Sequence, residues 1–119
     1  MSQANNIVDI LAAGIRAESL RQKTIANNVA NLQTPGYRRF EVKFEELLAK
    51  ALDSSGTVDL SDIELEIYEP QNTTVKSNGN DVSLEVEVGE MVKNTLRHKA
   101  YIRLLQKKYQ QIELAIAVK

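Results

Sequence analysis

Residues 25–37 read IANNVANLQTPGY, and the chain is organised around them. The first half of this stretch continues an amphipathic helix. Val8, Leu11, Ile15, Ile25, Val29 and Leu32 follow the alternating three-and-four spacing that holds side chains on one helix face. The second half, Thr34-Pro35-Gly36-Tyr37, stops that helix. Pro35 disfavours helical geometry at Thr34 and has no N–H to donate, and Gly36 can take positive φ. Pro followed by Gly fits the two central positions of a type II turn, so the chain leaves the helix at a fixed place and in a fixed direction. Before the turn stand three amides, Asn27, Asn28 and Asn31, interleaved with Ala26 and Ala30. A single amide here is solvated or helps end the helix. Three in five residues, beside small side chains that admit a close backbone, read as a helix–helix interface fixed in register by directional hydrogen bonds.

A second amphipathic stripe closes the chain. Leu84, Val88, Met91, Thr95, His98, Ile102, Leu105, Tyr109, Ile112 and Ile116 are spaced four, three, four, three to the end. Val82, Leu84, Val86 and Val88 also alternate as a strand would, but sustained heptad spacing outweighs four alternating residues. Ser83 is the N-cap of the resulting helix, with Glu85, Glu87 and Glu90 near the positive end of its dipole. The first helix is expected over Ala4–Gln33, capped by Asn5 or Asn6. Its stripe is broken by Glu18 and Gln22 and weakened by Gly14, which costs about 1 kcal/mol relative to Ala inside a helix. Two matched helices of about 45 and 50 Å imply an antiparallel coiled-coil pair, and the fold class is mainly α. The pair, residues 1–36 and 81–119, forms the core, and residues 37–80 form a small extended segment within a single discontinuous domain.

Within that middle segment Tyr37, Phe40 and Phe44 read as anchors pinning the turn onto the helices, and Glu45–Leu52 as a short helix. Asp53-Ser54-Ser55-Gly56 is a loop. Ile63, Leu65 and Ile67 alternate as a half-buried strand, and Thr73–Lys76 makes a second strand of a small hairpin, followed by the turn Ser77–Asn80.

Composition excludes several functions. The chain has 119 residues, 15 basic and 16 acidic, for a net charge of −1, which gives no global attraction to nucleic acid or acidic membranes. The basic residues between Arg97 and Tyr109 read as a solvated helical face. With no cysteine, one histidine on an apolar stripe and no Gly-rich phosphate loop, no nucleophile–base pair, metal set or cofactor site emerges, and a small-molecule substrate is not expected. The first residues carry no cleavable signal, and no segment is long enough to span a membrane.

Ala26-Asn27-Asn28-Val29-Ala30-Asn31 followed by Thr34-Pro35-Gly36-Tyr37 resembles the N-terminal signature of bacterial flagellar rod and hook proteins. Lys93–Tyr101, Leu104–Tyr109, Leu114–Ile116 and Asn78-Gly79-Asn80-Asp81-Val82 are similar to the C-terminal half of a proximal-rod subunit in that family; residues 53–76 match no family pattern. The resemblance implies a structural subunit of the basal-body rod that assembles helically with copies of itself and other rod subunits. It further implies neighbours in the inner-membrane ring and a rod adaptor beside the export gate, and passage through the flagellar type III export apparatus to a periplasmic rod without a cleaved signal. On this reading Asn27, Asn28, Asn31 and the turn Thr34–Tyr37 are the assembly interface. Leu84, Val88, Met91, Ile102, Leu105, Tyr109, Ile112 and Ile116 are the helix-packing stripe. A soluble helical adaptor or export chaperone is the alternative.

Overall fold

A computed structural model describes residues 3–53 and 63–118. Helix α1 spans Gln3–Ala30, strand β1 Glu41–Lys43, helix α2 Glu45–Asp53, strand β2 Glu66–Tyr68 and helix α3 Leu84–Ala117. The two long helices pack against one another and dominate a body measuring 67 × 29 × 16 Å. Their pairing is antiparallel: Asn28 meets Glu87, Glu18 meets Asn94, and Gly14 lies under the ring of Tyr101.

The seam keeps every second position of each expected stripe and moves one residue aside at the positions between. On α1 it passes through Leu11, Gly14, Glu18, Arg21, Ile25 and Asn28, still spaced three and four. On α3 it passes through Glu87, Met91, Asn94, His98, Tyr101, Leu105, Lys108 and Ile112. Met91, Ile102, Leu105 and Ile112 of the expected stripe are half-buried, whereas Leu84, Val88, Tyr109 and Ile116 are exposed. The cause is hydrogen bonding: a buried carboxylate or amide that finds its partners holds its place in the seam, and the apolar residues beside it turn outward. Glu18 therefore does not break the α1 stripe but lies at its centre, 1% exposed. Gly14, read from sequence as a weakness, makes room for Tyr101: an added Cβ would sit 2.8–2.9 Å from ring atoms.

Both helix ends sharpen the expected boundaries. α1 already runs through Asn5 and Asn6, so neither is its N-cap. It stops at Ala30 rather than Gln33, where Leu32 N–H donates to Val29 O and Thr34 N–H to Asn31 O in tighter turns. At α3, Ser83 is the N-cap as expected, with extended φ −115° and its side chain accepting from Val86 N–H at 3.5 Å.

The middle segment pairs differently from the expected hairpin. β2 bonds antiparallel to β1, with Val42 opposite Ile67, and Thr73–Lys76 forms no strand. The pairing follows from α2, which begins directly after β1 and lies between the two strands in sequence. Ile67 and Tyr68 face outward, so the alternation at 63–67 does not make a half-buried strand, although Leu65 packs on the core. Residues 54–56 of the expected loop lie outside the described residues. Phe44, 1% exposed, anchors the segment in a cluster with Ala13 and Ala17, flanked by Leu48 and Leu65. Small side chains at 13 and 17 let the ring reach the α1 backbone, which positions everything that follows the turn.

Candidate functional site: the junction and the helix seam

The type II turn forms as its residues require. Tyr37 N–H donates to Thr34 O at 3.2 Å, and Gly36 takes φ +75°. A second glycine turn docks on it: Gly36 N–H donates to Asn78 O at 2.9 Å, and Gly79, at φ +85°, approaches so closely that a Cβ there would lie 3.3 Å from Gly36 Cα. Asn80 ties the two together. Fully buried, it donates through Nδ2 to Asn31 O at 2.9 Å and Thr34 O at 2.8 Å, while Oδ1 accepts from Val82 N–H at 2.7 Å. The end of α1, the turn and the lead-in to α3 are thus held by one amide.

Asn28 does the same one turn deeper. Its Nδ2 donates to Phe40 O at 3.0 Å and Glu87 Oε1 at 3.1 Å; its Oδ1 accepts from the Tyr37 hydroxyl at 3.0 Å and Phe40 N–H at 3.1 Å. Glu87, also fully buried, takes Arg39 Nε on its other oxygen at 2.7 Å, and Arg39 Nη1 reaches Glu41 at 2.6 Å. Burial opposes the Arg39 charge, but bonds to Glu87 and Glu41 outweigh it and hold the guanidinium above its ordinary value. Burial likewise raises Tyr37, against the bond from Asn27, so its hydroxyl stays a donor to Asn28. At Asp81, burial pushes the carboxyl up, yet bonds from Thr73, Arg39 N–H and Arg38 prevail and hold it below the usual aspartate value.

A second polar layer lies ten residues back along α1. Glu18 accepts from Asn94 Nδ2 at 3.0 Å, Arg97 Nε at 3.0 Å and Arg21 Nη1 at 2.7 Å. Asn94 also donates to Glu18 O at 2.7 Å. Arg21 extends the layer to Glu45, whose carboxyl is lowered chiefly by that bond. Every buried side-chain polar atom among the described residues has a partner.

Of the sequence-singled residues, Asn28 is therefore the hub of the junction. Asn27 is exposed and bonds Tyr37, and Asn31 is half-buried, with its amide on Asn27 O and its carbonyl oxygen on the Thr34 hydroxyl. Pro35 and Gly36 are exposed. Sequence reasoning passed over Glu18, Arg39, Asn80, Glu87 and Asn94. Two of these sit as Glu87 and Asn94, seven residues apart, beside an apolar stripe, which is the signal a search for buried polar layers would use. A cleft of about 360 Å³ beside β1 is lined by Arg21, Arg39, Lys43, Lys93 and Arg97, and each of these cations has a carboxylate within 4 Å. Among the described residues no group of acidic or histidine side chains is arranged to hold a metal, and no helix is long and apolar enough to cross a membrane.

Residues 9–38, the α1 seam and its turn, match the family model of the flagella basal body rod protein. Near full-length similarity extends this to the whole chain. It is 27% identical over 125 residues to the flagellar basal body rod protein FlgB of Bacillus subtilis, covering 98% of this chain and 97% of that protein. The chain belongs to the flagellar basal body rod proteins. It is 28% identical over 116 residues to the FlgB rod protein of Borreliella burgdorferi, covering 82% of this chain and 86% of that one. A longer relative, the flagellar basal-body rod protein FlgG of Caulobacter vibrioides, is 32% identical over 82 residues, which are 69% of this chain and 25% of that protein. As a rod protein the chain is a structural subunit of the flagellar basal-body rod, and the geometry above is that of a building block: a rigid, internally bonded hairpin with a fixed elbow.

Proposed function

We propose that this rod protein is a non-enzymatic subunit of the proximal rod, assembling helically with copies of itself and with other rod subunits in the periplasm. One observation carries the reading. Polar groups in the junction are saturated within the chain, while α3 leaves an apolar ridge uncovered: Leu84, Val88, Val92 and Leu96 recur every four residues and are 49%, 54%, 54% and 64% exposed. A ridge at i, i+4 spacing suits the grooves of a helix crossing at about 50° to it, a geometry different from that of an antiparallel coiled-coil pair. Its partner is therefore a further helix, and the stripe residues Leu84, Val88, Tyr109 and Ile116 that the monomer leaves exposed face neighbouring subunits.

Asn27, Asn31 and the exposed elbow Thr34-Pro35-Gly36 take the next subunit at the junction end. Asn28 and Tyr37 hold that surface in place from beneath. Non-closing contacts of this kind extend into a tube, as a drive shaft requires. The subunit reaches the periplasm through the flagellar type III export apparatus without a cleaved signal, and lies against the inner-membrane ring and the adaptor near the export gate. Deleting the gene abolishes rods and hooks in electron micrographs and abolishes swimming. Complementation with Val88→Ser and Val92→Ser together gives an exported, helical subunit that leaves rods unbuilt. Normal rods in either strain overturn the proposal.

A further inference from the structure

The two buried polar layers are built in opposite senses. Near the elbow α1 supplies the amide, Asn28, and α3 the acid, Glu87. Ten residues back α1 supplies the acid, Glu18, and α3 the amide, Asn94. Beyond them Gly14 supplies a gap and Tyr101 the ring that fills it. On α3 these three residues, Glu87, Asn94 and Tyr101, recur every seven positions in a single column. We infer that this column is the recognition strip by which α1 selects its partner helix and register, read in turn by Asn28, Glu18 and Gly14.

The apolar residues alone do not specify register, because a coiled-coil seam shifted by one heptad keeps its apolar positions in phase. The polar column does so along the helices, beyond the elbow contacts of Asn80 and the glycine turns that fix where α3 begins. Sliding α3 by seven residues one way sets Glu18 against Tyr101 and leaves Asn28 facing Asn94, which removes Arg97 from the buried carboxylate. Sliding it the other way sets Glu18 against Glu87, two carboxylates that are each at most 1% exposed in the native register. The first slip leaves buried Glu18 with Arg21 alone in place of three donors, and the second forces two like charges together. The consequence rests on the rod-subunit reading: in a rod, each α1 lies among helices of neighbouring subunits with the same apolar period, and only a helix presenting acid, amide and ring at heptad spacing satisfies it. The selecting residues act as specificity determinants in the way a buried polar residue fixes the register of a coiled coil, a role that apolar replacements of similar volume can remove without loss of stability.

The native chain lacks cysteine, so two nitroxide labels can be placed without background. Ser19→Cys and Lys107→Cys are exposed positions, one on each helix. Electron–electron distance measurement on the purified full chain gives one distance in the otherwise native background. Adding Glu18→Leu with Asn94→Leu gives a second distance from a helix displaced by about 10 Å, one heptad of rise, while the helical circular dichroism is retained. Adding Glu18→Asn with Asn94→Glu instead keeps the single native distance, because the pair survives beside Arg97. A single native distance in the Leu pair overturns the inference. So does loss of helix in the Leu pair, which makes the layer a stabiliser only, or splitting in the exchanged pair. These readings come from the isolated chain, so they stand or fall apart from whether cells build rods with it.

Discussion

The two ends of the helical hairpin differ in how completely they are finished. At the elbow, Asn28, Asn80 and Glu87 are fully buried, and bonds converge on them from α1, both glycine turns and α3. At the other end Leu114, Ile116 and Val118 are 66%, 65% and 80% exposed among the described residues. The elbow draws its order from within, and the far end awaits order from outside. Local stability in such a molecule is graded, highest where polar groups have partners and lowest where apolar surface meets water. A subunit built this way carries its geometry at one end and its capacity to join others at the other.

The largest break in this contrast comes from Glu87→Leu. It strips Asn28 and Arg39 of a buried partner and leaves Arg39 with Glu41 alone, and stability measured by urea unfolding falls by about 3 kcal/mol, the low end of the cost of breaking a buried ion pair. Gly79→Ala comes next, at about 1–3 kcal/mol, because positive φ strains an L-residue and its Cβ meets the Gly36 backbone at 3.3 Å. Gly36→Ala has the same strain in open space and costs less, about 1–2 kcal/mol, which separates strain from crowding by direct comparison.

Gly14→Ala lies along the gradient. The ring of Tyr101 must shift, so melting temperature falls despite the better helix former, and Tyr101→Leu in the same chain turns the change into a gain of up to about 1 kcal/mol. The pH response is smaller. Asp81, Glu41 and Glu45 all sit below their ordinary values when folded, so the unfolded chain takes up protons first as pH falls. Their contribution is complete above the ordinary carboxylate range near pH 4 and is lost as pH drops through the folded values. Unfolding midpoints followed from pH 7 to pH 2 show this loss, and Asp81→Asn reduces its steepness. The smallest effect on the monomer is Ile116→Ser, within about 0.5 kcal/mol, with incorporation into rods lost all the same. A destabilisation as large as that of Glu87→Leu would mean that the far end is finished too.

The long helices, the type II turn and the Ser83 cap were legible because each follows from local rules: period, proline, glycine and a hydroxyl before an acidic turn. The seam was not, since periodicity locates apolar residues and gives no weight to a carboxylate that will find three donors. Glu18 looks like an interruption until Asn94 and Arg97, more than seventy residues on, are placed beside it. Gly14 looks like a defect until Tyr101 arrives. Asn27, Asn28 and Asn31 stood out together, but which of them is buried depends on where Phe40 and Glu87 come to rest, and only the folded chain fixes that. The strand pairing failed for a similar reason. Thr73–Lys76 has strand-like residues close to Ile67 in sequence, but β1, held against α1 beside Phe44, is the edge with which β2 pairs.

The backbone contacts between the two glycine turns also govern how the rod protein can change in length. Gly36 N–H on Asn78 O and Asp81 N–H on Tyr37 O bring the exit from one helix and the entrance to the other to the same point. Everything between is, topologically, a cartridge clipped into a closed socket. Lengthening a closed loop costs only about 0.6 kcal/mol for each doubling, so residues can be added between Asp53 and Ile63 while Arg39, Phe40 and Phe44 keep their contacts and the socket and the hairpin keep their shape. A cargo domain or reporter inserted there would therefore leave the socket closed, its size uncoupled from the angle at which one subunit meets the next.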